Sequence, residues 1–166
     1  MNNKYLIILL LLFFFFDLRS QNTIPCINVN LELSSTIVDS NTILSCYSNI
    51  FICNCGKKNI EIPVKPIYGY KDELFTHFYF NFLKLDEKDS SYKDFQPQKI
   101  DHQSIPLIKK DTLQLGVCKN YVLNIGELNT LPSSSHYKVQ IVYSYYSNPK
   151  TKPIEFFSNW KDLEIR

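Results

Sequence analysis

The chain has 166 residues, of which 14% are aromatic, and its 18 basic and 16 acidic residues give a net charge of +2 at pH 7. A charge this small gives the chain no large electrostatic footprint of the kind that nucleic acids and anionic lipids usually select, so we expect neither as a partner. The length suits a short leader followed by one domain with its own core.

The N-terminus has the pattern of a signal peptide. Lys4 supplies a positive charge, and residues 5–16 form an unbroken apolar run. This run is shorter than the roughly 20 apolar residues that a membrane-spanning helix needs. We therefore predict a helical signal peptide over residues 1–20, with cleavage after Ser20.

Cleavage leaves a mature domain over residues 21–166, secreted or periplasmic, with no stable membrane span. Removing the leader takes away two basic residues and one acidic residue, so 18 and 16 become 16 and 15, and the net charge becomes +1. Two alternatives are less favoured: an uncleaved N-terminal anchor, and a lipid on Cys26. The residue before Cys26 is not the small one expected before a lipid-modified cysteine.

The mature domain consists of short runs of β-branched and aromatic residues separated by polar turns, without a helical pattern. The run at 27–33 alternates between apolar and polar residues, and the run at 43–53 is apolar on both faces. The run at 73–85, with phenylalanines on one face, is expected to be a central strand. The predicted strands are 27–33, 43–53, 59–62, 73–85, 112–125, 137–143 and 154–165.

Two features refine this outline. Residues 86–106 are polar and rich in turn formers, and we expect them to form the longest loop, because a connection of about 20 residues is unusual in a compact domain. Within the strand at 112–125 the alternation changes near Lys119 and Asn120, which predicts a shift of register there.

Seven to eight short strands without intervening helices predict an all-β fold, a single immunoglobulin-like antiparallel β-sandwich. Tyr137 stands near the start of the penultimate strand. From there its hydroxyl can bind upstream backbone, the arrangement called a tyrosine corner.

Five short motifs follow one another along the chain: NCGKKNIEIP, FYFNF, LGVCKNYVLNIGELNTL, HYKVQIVY and FFSNW. Their order resembles that in secreted bacterial immunoglobulin-like domains of the proteinase-inhibitor-like and metalloprotease-associated types. Where these domains place glycine two residues before the tyrosine, this chain has Ser135. The resemblance spans nearly all of residues 27–166 and implies a binding or accessory module.

Five cysteines follow the leader, and an oxidising compartment favours disulfides, so at least one thiol stays unpaired. Cys53 and Cys55 are about 6.6 Å apart on one face of an extended strand, too far for a bridge. If the first two strands pair antiparallel, Cys26 meets Cys55 or Cys53. A second bridge is expected between Cys46 and Cys118.

Neither a metal site nor an active site is expected. A single Cys-x-Cys is weak evidence for zinc, because structural zinc sites favour Cys-x2-Cys pairs that converge on one ion. His77 is expected in mid-strand, and His102 and His136 in solvated loops. Without a nucleophile elbow or an HExxH helix, we predict no enzyme and no cofactor.

The predicted function is therefore binding, with a protein, including a protease, or a cell-envelope component as partner. The alternatives are a secreted proteinase inhibitor acting through the extended loop at 96–106, and a structural component of the cell envelope. We expect the binding loops at 86–106 and 144–153. The candidate recognition surface is Tyr92, Phe95, His102, Tyr145 and Tyr146.

Overall fold

The computed structural model describes residues 24–39, 46–65, 67–69, 76–99, 109–132, 134–147 and 151–166. These residues form thirteen strands and one four-residue helix, α1 (Ile125–Leu128). The strands are β1 (Ile27–Leu33), β2 (Ile37–Val38), β3 (Tyr47–Asn54), β4 (Ile60–Pro63), β5 (Phe78–Asp86), β6 (Ser91–Phe95), β7 (Gln98–Lys99), β8 (Lys110–Leu113), β9 (Cys118–Asn124), β10 (Asn129–Thr130), β11 (Ser135–Tyr145), β12 (Ile154–Phe157) and β13 (Lys161–Ile165).

Two main sheets pack around one hydrophobic core. The smaller has the order β1-β3-β9, and the larger has the order β2-β13-β11-β5-β6 with β12 also paired to β11. Neighbouring strands are antiparallel except β2, which runs parallel to β13. Two short pairs, β4 with β8 and β7 with β10, complete the pairing. The fold is thus an all-β, sandwich-like arrangement.

Side-chain alternation explains where the core lies. In β1 every second residue, Ile27, Val29 and Leu31, is buried, as the sequence predicted. The phenylalanines of β5 at positions 78, 80 and 82 join the same core, and β5 lies between β11 and β6 inside the larger sheet. The central position predicted for this strand is therefore confirmed.

The second predicted strand differs from the expectation that both of its faces are buried. β3 alternates regularly, because Ser48, Ile50, Ile52 and Asn54 are buried while the intervening side chains are exposed or half-buried. Its outer face carries Phe51, which made the run look apolar on both sides. Residues 43–45 lie outside the described part of the chain.

The long loop predicted over residues 86–106 was wrong in its first half. Residues 87–90 are a tight turn, and β6 returns along β5, with Leu83 opposite Asp94. The pattern was missed because β6 is an edge strand whose central residues, Tyr92 to Asp94, are all exposed. Gln98 and Lys99 pair with β10, and residues 100–108 lie outside the described part.

Two predicted strands are each divided in two. The run at 112–125 breaks at a turn around Gly116, whose φ of 74° suits glycine, and not at Lys119 and Asn120. The run at 154–165 breaks at Ser158, whose backbone NH donates to Ile141 O and whose hydroxyl accepts from Ile141 NH. The extra residues there let β12 and β13 both pair with β11.

The structure contains two disulfides. Cys26 binds Cys55, one of the two partners expected for it, and Cys53 binds Cys118. The predicted bridge from Cys46 to Cys118 was wrong. Cys53 and Cys118 are directly opposite in the ladder of β3 and β9, whereas Cys46 lies buried at the other end of β3. Burial raises the pKa of the free Cys46 thiol.

Tyr137 is almost fully buried at the start of β11. Its hydroxyl donates a hydrogen bond to the carbonyl oxygen of Pro132 at 3.0 Å. This is the upstream backbone contact expected for that tyrosine, and it links β11 to the segment that enters it.

The predicted signal peptide, residues 1–20, lies outside the described residues. Within the described ranges, no helix has both the length and the apolar character needed to cross a membrane.

Candidate binding groove

A groove of about 820 Å³ opens at one end of the sandwich, which is within the usual size range of ligand sites. Three chain segments form it: the residues leading into β1, the turn between β3 and β4, and the ends of β11 and β12. We call it the basic groove. Its lining residues are 24–26 and 54–60 with Tyr145, Ser147, Thr151, Lys152 and Ile154.

Asn54, at the end of β3, holds the turn that forms one wall. Its side-chain nitrogen donates to Lys58 O at 2.9 Å and to Leu113 O at 3.1 Å. Its side-chain oxygen accepts from Gly56 NH at 3.0 Å. Asn54 is only 1% exposed, and these bonds use both N–H donors of its buried amide. They also fix residues 55–58 against β8.

The disulfide between Cys26 and Cys55 joins this turn to the segment entering β1. The Cys55 NH also donates to Cys26 O at 2.9 Å. A Cβ on Gly56 would lie 3.1 Å from the Asn54 side-chain oxygen, so the turn is closely packed at that residue. The covalent and hydrogen-bonded links make this wall a preformed surface.

The groove carries an unbalanced positive charge. Lys57, Lys58 and Lys152 line it and are solvent-exposed, and its described lining contains no Asp or Glu. None of the three forms an ion pair with another described residue. Elsewhere in the described chain Lys110 and Lys138 are paired with acidic residues. The basic groove therefore offers three lysines for an external anion.

Apolar surface accompanies the charge. Ile24 is 71% exposed, and Tyr145 and Ile154 are half-buried beside it in the lining. Tyr145 packs its inner part against the core, which holds the ring in place. Mixed apolar and cationic surface of this kind suits a ligand with both apolar and anionic groups.

A second groove, of about 630 Å³, lies at the opposite end beside the β5–β6 turn. Its lining holds three lysines but also three acidic residues, so its charge is balanced. Lys93 binds both Asp86 and Asp89. The bond from Lys93 lowers the pKa of Asp86, and hydrogen bonds from the Ser91 hydroxyl and then Lys93 lower the pKa of Asp89. The opposite groove therefore has no excess of either charge in its described lining.

The four described residues of the predicted recognition surface do not form one surface. Tyr145 lines the basic groove, and Tyr146 is half-buried with its ring 5.6 Å from that of His77. Tyr92 and Phe95 lie toward the opposite end, where the Lys138 ammonium is 5.0 Å from the Tyr92 ring and Phe95 packs on Tyr137. His102 lies outside the described residues.

Of the segment at 144–153, which we expected to bind a partner, Tyr145, Ser147, Thr151 and Lys152 line the basic groove. The sequence analysis did not single out the three lysines. The adjacent pair Lys57 and Lys58 in a predicted turn was the available signal, but Lys152 is nearly a hundred residues later in the chain. Only the pairing of the strands places these segments side by side.

The described residues hold no group of three or more His, Cys, Asp or Glu side chains positioned to bind one metal ion. His77 was expected in mid-strand but is buried in the segment before β5, and His136 was expected in a loop but is exposed within β11. The basic groove presents lysine charge and apolar surface.

No protein-family model matches the chain, and no curated protein matches it in sequence.

Proposed function

We propose that the protein is an exported, non-catalytic binding module that holds its partner in the basic groove. The observation that carries this proposal is the juxtaposition of three exposed lysines without described acidic neighbours and an exposed Ile24 in one preformed groove. Isolated exposed apolar residues are common, but an apolar surface beside an unbalanced charge is typical of an interaction site.

Several features support an immunoglobulin-like sandwich as the scaffold. β11 lies between β13 and β5, β6 extends that sheet, and β1, β3 and β9 form the opposing one. This order agrees with the two-sheet plan of such domains, and the Tyr137 hydroxyl bond agrees with their tyrosine corner. In these domains the loops at one end of the sandwich commonly bind partners.

Export is supported by the leader-like N-terminus and by the two disulfides, since disulfides persist in oxidising compartments. Both bridges lie on the smaller sheet or at its end, where they hold the strands that shape the groove.

Filling the groove tests this function. Ser147→Trp places a large ring at an exposed lining position and is expected to abolish capture of the partner from the native medium by the immobilised protein. Lys88→Trp, in the opposite groove, is the matched control and should capture as the wild type does. Equal capture by both variants would contradict the proposal.

A different assay distinguishes a proteinase inhibitor from a non-inhibitory binding module. Gln98 and Lys99, near the start of the proposed inhibitory loop, are paired in a strand with β10, which favours a structural role for them. Incubation with a panel of secreted proteases should leave every protease active. Stoichiometric inhibition without turnover would favour the inhibitor instead.

A further inference from the structure

We infer that the basic groove binds an acidic, extended segment of a partner protein, in which carboxylates alternate with at least one apolar side chain. This inference rests on the proposed function of the groove and specifies the chemistry of its ligand.

The charge of the groove indicates a ligand with several carboxylates. Lys57 and Lys58 stand on the turn after β3, and Lys152 stands across the groove before β12. Single exposed ion pairs contribute little, so recognition here requires several carboxylates bound together. An extended chain supplies several carboxylates along its length, whereas one small anion supplies a single charged group.

The apolar lining indicates that the ligand also has apolar side chains. Ile24 is largely exposed, and Tyr145 and Ile154 offer part of their surface to the same groove. A sulfated glycan or a phosphate would neutralise the lysines but leave these side chains in contact with water. A peptide covers them with its own apolar side chains, and burial of that surface adds to the electrostatic attraction.

The rigid wall formed by the turn after β3 favours binding of a flexible segment. The disulfide between Cys26 and Cys55 and the three hydrogen bonds of Asn54 hold the turn before any ligand arrives. A preformed site loses less conformational entropy on binding, which suits capture of a flexible segment.

The experiment measures fluorescence anisotropy of a labelled synthetic peptide in which glutamate alternates with leucine, with a glutamine-for-glutamate peptide as the ligand control. The purified protein should bind the first peptide, more weakly as salt is raised, and bind the second at least about tenfold more weakly.

Reversing the charge of the groove lysines tests whether the peptide binds in the basic groove. The triple variant Lys57→Glu, Lys58→Glu and Lys152→Glu should bind the glutamate peptide at least about tenfold more weakly than the wild type. The matched control replaces Lys65, Lys88 and Lys109, which are also exposed, by glutamate and changes the net charge equally. It should lose less than about twofold, because none of these three residues lines the groove.

Three outcomes would overturn the inference: no binding of the glutamate peptide, equal losses in both triple variants, or tighter binding of a sulfated oligosaccharide than of the peptide. One outcome would contradict this inference and leave the proposed function standing. If Ser147→Trp abolishes capture of the natural partner but the groove triple variant retains it, the groove binds a partner of different chemistry.

Discussion

Replacing Cys53 and Cys118 together by serine is expected to lower the free energy of unfolding by about 4 kcal/mol. This disulfide joins residues 65 apart in sequence, so it removes considerable freedom from the unfolded chain. It also holds β9 to β3 at the end of the smaller sheet. Denaturant titration, with the slope compared between variants, measures the loss.

The free cysteine gives the control. Cys46→Ala removes a buried thiol but no bridge, and we expect it to cost only about 1 kcal/mol. If Cys118 were instead joined to Cys46, this substitution would be the costly one and Cys53→Ser alone would be mild. Peptide mapping without reduction should recover Cys26 with Cys55 and Cys53 with Cys118.

Asn54→Ala is expected to lower the free energy of unfolding by about 3 kcal/mol. The variant loses three hydrogen bonds and leaves the carbonyl oxygen of Leu113 buried without the amide that donates to it. Asn54→Leu, which keeps most of the side-chain volume, should be destabilised by a similar amount, because hydrogen bonds and not volume are the cause.

Asn59→Ala is the matched control for this position, since Asn59 is an exposed asparagine in the same turn. We expect a change within about 0.5 kcal/mol. A loss at residue 59 as large as that at residue 54 would mean that the turn tolerates no substitution and that the side-chain bonds of Asn54 are not its main support.

The local sequence pattern was sufficient to predict the strands in which apolar and polar residues alternate. β1 and β5 have apolar residues on one face because that face meets the core, so their sequences contain the period of two. The edge strand β6 has no buried face over most of its length, and a polar strand cannot be distinguished from a loop by composition. That is why the hairpin at 86–95 was predicted as irregular.

The disulfides and the groove depend on register, which local sequence does not contain. The partner of Cys118 is fixed because Cys53 lies directly opposite it, and the two strands concerned are far apart in sequence. The groove likewise joins Ile24, Lys57 and Lys152, which come together only when both sheets have formed. Nonlocal pairing therefore determines both features.

Cross-linking in the native medium tests the central claim most directly. An amine-reactive cross-linker can attach a bound partner to any exposed lysine, and mass spectrometry identifies which lysine was used. The account predicts that partner cross-links concentrate on Lys57, Lys58 and Lys152 in the basic groove. Cross-links concentrated on Lys88 and Lys93 at the opposite end, or spread evenly over both ends, would contradict it.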